Sequence, residues 1–413
     1  MSDQVLAATG QRFLEQYSDN DTQYKALLAA GAKFAQDKGI KLGVALTEAQ
    51  QRQLTSDLVW LVEQSVTLPD GTTETVLVPQ VYLLVREGDL KGDGTLLAGR
   101  SVHLAVDGNA TNSGTIGARE ATVITAGNIV NQAGGIIQGG SVNLAAREDL
   151  TNLVSLIKGD KVALSAGRDI ALTSTSASEN NGNTWGSHLT GVARVDAGSL
   201  SMQAGRDLML TAAQVAARDD ARLQAGRDID FGTLTQSHGE RIVRNPRNRY
   251  ELRSSEEIGA LVAAGGNLTL VAGQDVNARA ADVTAGKQLV VGSGRDVNVT
   301  AGERGQYSYL ETYEKRRGFL SSTTTHTISA SDQTRAQAST FTGDSTVVMA
   351  GRDANVTGSN VGAQKDLVLS AGRDVNILSG ENTSQDYDYK RVKKSGLGAM
   401  GGLSIGTRRQ TDS

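Results

Sequence analysis

The sequence predicts an all-β fold, a parallel β-helix (solenoid) with projecting hairpin insertions and a small mixed α/β cap at its amino-terminal end. The first observation is a recurring phrase: AGRDIAL at 166–172, AGRDLML at 204–210, AGRDIDF at 225–231, AGQDVNA at 272–278, SGRDVNV at 293–299, AGRDANV at 350–356 and AGRDVNI at 371–377. The second is its beat, since Gly205 to Gly226, Gly273 to Gly294 and Gly351 to Gly372 are each 21 residues apart, the length of one β-helical coil. The third is composition: 413 residues hold 48 Gly, 3 Pro and 4 % aromatics, too few aromatics for a conventional core but suited to short strands joined by tight turns.

Residues 1–95 read as a mixed entry or capping segment. Tyr24, Leu27, Leu28, Gly31 and Phe34 lie on one helical stripe between Asp21 and Lys38, with Gly39 as C-cap. Thr47 and Gln50 have capping-box spacing for a helix at 48–55. The stretch at 56–66 is apolar enough for a buried helix or a strand, and periodicity leaves both open. The turn phrase at 68–71 precedes TETVLV (73–78) and QVYLLV (80–85), which read as short strands on either side of Pro79.

From residue 96 to 173 the alternation is regular. Asn112, Asn131 and Asn152 recur at spacings of 19 and 21, and Ile116, Ile137 and Ile157 at 21 and 20. Period-two alternation on a beat near 20 residues is a stacked coil, and roughly a dozen coils fit the chain.

Each AGRD phrase has a physical task. Counted from its Gly, positions −5, −3, +3 and +5 are mostly apolar, as in Val162, Leu164, Ile170 and Leu172 or Leu200, Met202, Leu208 and Leu210. That spacing turns four side chains to one face of two strands flanking a corner. The expected turn residues are Gly167 and Asp169, Gly205 and Asp207, Gly226 and Asp228, Gly273 and Asp275, Gly294 and Asp296, Gly351 and Asp353, and Gly372 and Asp374. Gly is expected to adopt a conformation that a Cβ opposes and Asp to accept nearby backbone N–H groups, while Arg points to solvent within reach of a neighbouring coil's Asp.

The beat is broken within 174–378 by insertions at 174–196, 233–260 and 302–344, and it gives way after 378 to a polar, basic, Gly-rich extension at 379–413. Aromatics collect there: Trp185, Tyr250, Tyr307, Tyr309, Tyr313, Phe319, Phe341, Tyr387 and Tyr389, against Phe231 in the coils proper. Trp185, Tyr250, Tyr307, Tyr309, Tyr313, Phe319, Tyr387 and Tyr389 are the candidate partner contacts. Such aromatics either pin hairpins to the rod or present a surface to a partner, and the sequence leaves both open. Lys315, Arg316 and Arg317, and Lys390, Arg391, Lys393 and Lys394, sit beside tyrosines; they read as a solvated face or as contacts for anionic lipid or lipopolysaccharide head groups.

Several functions are disfavoured. A formal charge of −4 offers no basic footprint for nucleic acid. Zero Cys removes thiol chemistry and Cys-ligated metal sites, and His103, His188, His238 and His326 lack metal-ligand spacing, so each reads as a surface or loop residue. GDST at 343–346 has no second motif to complete a triad, and no phosphate-cradling motif occurs. No catalytic residue, metal site or cofactor is expected. The alternatives are a β-helical carbohydrate-active enzyme, which needs paired carboxylates in a groove, and a purely structural stalk. No apolar run reaches the roughly 20 residues of a membrane span, and residues 1–30 lack signal-peptide character.

The AGRD repeats of 166–377 with their Ser/Thr-rich insertions resemble the haemagglutinin repeats of filamentous haemagglutinin-type exoproteins, above all those of contact-dependent growth inhibition effectors. The stretch at 54–82 is similar to the segment leading into that region. The resemblance implies secretion through an outer-membrane two-partner transporter and folding outside the cell into a right-handed β-helix. It further implies adhesion to surface or outer-membrane components of other cells and help in passing a toxin domain. A secretion domain with its signal peptide, a pretoxin motif and a toxin domain are not recognisable in the chain, which is therefore expected to be a fragment or an orphan reading frame.

Overall fold

In a computed structural model of the chain, residues 20–47, 50, 56–67, 73–82, 96–319, 321–399 and 403–412 are described. They fall into two compact units, 1–95 and 96–413.

In the first unit, helix α1 (Asn20–Lys38) ends at Gly39, whose φ of 66° is the left-handed C-cap conformation that glycine adopts without a Cβ clash. Strands β1 (Leu58–Thr67) and β2 (Thr73–Tyr82) pair antiparallel, so the ambiguous apolar stretch is a strand. Pro79 does not divide two strands: it sits within β2 opposite Leu61, tolerated in a two-stranded ribbon where alternate N–H groups face outward. Helix and strand approach so closely at Gly31 that a Cβ there would lie 2.0 Å from the Val59 carbonyl oxygen. Leu27 and Val59 form one small core, and Ala35, Leu46, Leu58, Trp60 and Tyr82 another. The Trp60 indole donates to the Val44 carbonyl (2.9 Å). Thr47 and Gln50 exchange capping-box hydrogen bonds, the Thr47 N–H donating to Gln50 Oε1 at 2.9 Å; apart from Gln50, the helix expected at 48–55 lies outside the described residues.

The second unit is a parallel β-helix. Ten short strands, from Asn109–Asn112 to Asp374–Leu378, stack in one parallel sheet, one per coil. The rest of each coil lies in a second sheet. Early coils use one long bent strand there, as in Arg194–Ala204, and later coils break it in two, as in Leu261–Ala264 with Leu268–Ala272.

Register is in phase with the sequence alternation. Ile170 faces Leu208 and Leu172 faces Leu210 across neighbouring coils, so like side chains form inward columns. These positions and their counterparts make one continuous core of Ile, Leu, Val and Ala. In the last coil the equivalent Val375 and Ile377 are exposed, with no described coil stacked on them. Early in the rod one inward column is polar: the Asn112 amide donates to Asn131 Oδ1 and that of Asn131 to Asn152 Oδ1, each at 2.8 Å, with all three asparagines buried. Each side-chain amide thereby satisfies its neighbour, the condition for burying it.

The route from the ten-strand sheet to the next coil takes one of two forms. Plain coils turn through a single left-handed residue: Val154 (φ 52°), Ala212 (φ 47°), Ala280 (φ 48°) and Gly358 (φ 58°). The coils between them replace that residue with a hairpin: Thr175–Asn180 with Thr184–Gly191, Leu234–Asn245 with Asn248–Ile258, Gly302–Gly318 with Ser321–Gln337, and Thr383–Ala399 with Leu403–Asp412. From residue 154 onward, turn and hairpin alternate strictly.

The observed bounds differ from those read in the sequence. The first hairpin ends at Gly191, and Arg194 already begins a core strand. The third ends at Gln337: Thr340–Gly343 returns to the rod with Phe341 fully buried, so this aromatic is core. The extension after 378 is a fourth hairpin.

Candidate contact surface

The four hairpins do not project singly. Thr184–Gly191 pairs with Leu234–Asn245, Asn248–Ile258 with Gly302–Gly318, and Ser321–Gln337 with Thr383–Ala399, all antiparallel, giving one eight-stranded sheet beside the rod. The reason is geometric. A hairpin is two strands wide and two coils rise by two strand spacings, each about 4.8 Å. Hairpins on alternate coils therefore arrive at the spacing at which their edges hydrogen-bond.

Strand pairing sorts the side chains by face. One row runs Trp185, Gly239, Arg253, Tyr307, and the next holds Glu251, Tyr309 and Tyr387. Arg249, Glu311, Tyr313, His326 and Tyr389 follow on the same face. Trp185 lies flat over Gly239, where a Cβ would come 2.3 Å from the indole. Three guanidinium groups stack on tyrosine rings: Arg253 on Tyr307 (4.9 Å), Arg249 on Tyr309 (4.8 Å) and Arg247 on Tyr313 (5.0 Å).

At the centre Glu311 is buried and fully occupied. It accepts from Arg249 Nε (2.7 Å) and from the Tyr309 hydroxyl (3.0 Å) and bonds His326 Nε2 (2.8 Å). Burial pushes its pKa up, but the hydrogen bonds from His326, Arg249 and Tyr309 together outweigh this and hold the carboxyl below its ordinary value. His326 lies edge-on to both Tyr313 (5.9 Å) and Tyr389 (5.6 Å). It is therefore a structural residue of the sheet and not the isolated surface histidine its sequence context suggested. Burial raises the Tyr309 hydroxyl.

The eight aromatics singled out from sequence thus separate. Trp185, Tyr307, Tyr309, Tyr313 and Tyr389 are engaged within the aromatic face; Tyr250 lies on the opposite face, in register with Ile242 and Leu310. Tyr387 is 52 % exposed and Phe319, at the turn of the third hairpin, 95 % exposed. Among the described side chains of the hairpin strands, only Gly239, Gly302 and Glu311 are buried, so neither face of the sheet is covered. The stacking arginines and the Glu311–His326 pair escaped the sequence reading. Their signal is the period-two order of Arg249, Glu251, Arg253 and of Tyr307, Tyr309, Glu311, Tyr313, which puts each set on one face.

On the rod, the AGRD corners form a ladder. Arg206 holds Asp169 in a two-pronged pair, with Nε donating to Oδ1 at 2.9 Å, and that oxygen also accepts the Asp207 N–H (3.1 Å). Arg168 with Asp149, Arg227 with Asp207, Arg295 with Asp275, Arg352 with Asp296 and Arg373 with Asp353 repeat it. The backbone hydrogen bond of each Asp thus joins successive coils instead of closing its own turn. Gln274 interrupts the series, so Asp228 receives the Asp275 N–H (3.0 Å) without an arginine from that coil. The arginine hydrogen bond is the main reason the carboxyls of Asp149, Asp169, Asp275 and Asp296 lie below their ordinary value.

The AGRD glycines are required for a reason other than φ, since none has a positive value. A Cβ on Gly205 would sit 2.2 Å from the carbonyl oxygen of Gly167, and one on Gly294 2.2 Å from that of Gly273. Beyond the corner, Asn298 donates to Asn277, Asn355 to Asn298 and Asn376 to Asn355, at 2.8–2.9 Å, in an outward ladder that starts at Asp230. Burial raises the Asp230 carboxyl.

Comparison with known proteins gives the same repeat unit. A family described as "Hemagglutinin repeat" matches residues 125–193, 176–239, 248–319 and 318–412, and a second, "Haemagglutinin repeat", matches 87–153. Each of the four matches takes in two coils and reaches into a hairpin. The chain belongs to the haemagglutinin-repeat family. Among relatives of this haemagglutinin-repeat chain, a tRNA nuclease CdiA of Escherichia coli (strain STEC_O31) is 29 % identical over 100 % of the chain and 15 % of the relative. A 16S rRNA endonuclease CdiA of Enterobacter cloacae is 31 % identical over 100 % and 14 %, and a deoxyribonuclease CdiA of Dickeya dadantii 28 % over 98 % and 14 %. The haemagglutinin-repeat chain spans about 15 % of the length of these relatives. No solved structure matches it. No helix among the described residues is long and apolar enough to cross a membrane.

Proposed function

We propose that this haemagglutinin-repeat chain is a non-enzymatic structural and adhesive segment of a secreted, bacterial cell-surface protein of contact-dependent growth inhibition. Its rod is the scaffold, its lateral sheet contacts the target-cell envelope, and it aids delivery of a toxin carried elsewhere in the whole protein. An outer-membrane two-partner transporter is the expected export partner. The observation that supports this reading is the eight-stranded sheet with both faces open and Phe319 and Tyr387 exposed on it. A carbohydrate-active site gains nothing from the AGRD carboxylates, which are taken by arginines and backbone N–H groups.

The plain coils supply the test. Thr357–Gly358–Ser359 shows how a coil closes without a hairpin, with Gly358 at φ 58°. Replacing residues 301–338 by a single Gly makes the same junction between Thr300 and Ser339 and removes the third hairpin. Binding of the chain to isolated target-cell envelopes is expected to fall at least tenfold while the β-type circular dichroism persists. Unchanged binding with an intact rod favours a stalk, the second reading, which the internal engagement of five of the eight aromatics supports.

A further inference from the structure

Lys315, Arg316 and Arg317 lie at the turn end of Gly302–Gly318, and Lys390, Arg391, Lys393 and Lys394 on Thr383–Ala399, two strands away. Register sets Lys315 opposite Thr324 and Thr324 opposite Lys393; on the other face Arg316, Thr323 and Lys394 align in the same way. Each row holds two cations roughly 10 Å apart across a threonine. Several other hairpin arginines are paired with a carboxylate within the fold, as in Arg249 with Glu311 and Arg304 with Glu256. Here Arg316 has Glu314 at 2.7 Å, and the other six cations have no carboxylate partner among the described residues. Folding gains nothing from collecting unpaired like charges, so the arrangement fits an external anion. Beside it Phe319 stands 95 % exposed at the hairpin turn.

An apolar ring at an apex, surrounded by unpaired cations, has the make-up of an interfacial anchor: the ring enters the boundary between head groups and acyl chains while the cations meet phosphates. We infer that the outer ends of the third and fourth hairpins bind the phosphate head groups of an anionic lipid surface, through Lys315, Lys393 and Lys394, with Phe319 as the apolar point. The cations sit beside an exposed apolar ring at an apex instead of lining a groove that would track a nucleic-acid backbone. The inference rests on the envelope-contact reading and names the chemistry of its partner.

Co-sedimentation of the full chain with lipid vesicles tests it. Binding is expected to vesicles of phosphatidylcholine with phosphatidylglycerol and not to phosphatidylcholine alone, and to weaken with salt. The double variant Lys315→Glu/Lys393→Glu, at two exposed sites, is expected to weaken binding roughly thirtyfold, with circular dichroism unchanged. Phe319→Ser is expected to weaken it while leaving the salt dependence in place. Equal binding to both vesicle types, an unaffected double variant, displacement by inorganic phosphate, or tighter binding to a DNA duplex would each overturn the lipid assignment. If the double variant loses vesicles but keeps target-cell envelopes, the lipid inference fails and envelope contact stands; if the chain without residues 301–338 keeps envelopes, envelope contact fails instead.

Discussion

Phe231 and Phe341 meet edge to face inside the rod, with ring centroids 6.2 Å apart and planes at 87°. They come from different sheets, and the column containing Phe231 continues with Ala278, whose small side chain leaves room for the larger ring. Phe341→Ala is expected to destabilise the chain by about 3–5 kcal/mol, the cost of truncating a buried Phe. Urea unfolding followed by circular dichroism measures this. A loss under 1 kcal/mol would mean that residue 341 belongs to a mobile insertion instead of the core.

Contact with the neighbouring coil, and not backbone conformation, requires glycine at the AGRD corner. The Cβ introduced by Gly294→Ala would fall 2.2 Å from the Gly273 carbonyl oxygen, and both are backbone-bound, so two coils must separate. About 2–3 kcal/mol of destabilisation is expected, at the upper end for overpacking. Ala at a solvent-facing turn without such contact would cost far less, and a thermal melt of the variant distinguishes the two.

The Arg–Asp ladder makes stability depend on pH. Asp149, Asp169, Asp275 and Asp296 have folded-state pKa values below the ordinary value, chiefly through arginine hydrogen bonds. A carboxyl so lowered contributes its full stabilisation above its unfolded pKa of about 3.9 and loses it as pH falls through the folded value. The melting temperature is therefore expected to be level from neutral pH to about pH 4.5 and to drop below about pH 3.9. A melting temperature that stays level through pH 3 would contradict the ladder's role.

Much of the rod was legible because its physics is local and repeated. Inward columns follow from alternation, as at Ile170 and Leu172, and the 21-residue beat counts coils. The lateral sheet was not legible, because its hairpins pair with one another between residues far apart in sequence, as Trp185 does with Gly239 and Arg249 with Glu311, and Ser/Thr-rich hairpins carry little apolar alternation. The role of single left-handed residues was hidden for another reason: Ala212 and Ala280 lie in ordinary-looking Ala-Ala pairs, and nothing in the side chain marks the conformation. Phe341 was misplaced because the third hairpin returns to the rod without a new AGRD phrase.

Pitch matching between coils and hairpins holds the lateral sheet together, and deleting one coil tests it most directly. Removal of residues 261–281 joins Ala260 to Asp282, which occupies the register position of Leu261, so the rod can close over the gap. The second and third hairpins would then leave from successive coils, about 4.8 Å apart, where two-stranded hairpins cannot pair edge to edge. In hydrogen exchange, the amides of 249–256 and 304–311, now paired strands, are expected to lose protection while those of the coils at 195–232 and 288–300 keep it. Retained protection in both hairpin strands would contradict pitch matching as the organiser of the sheet.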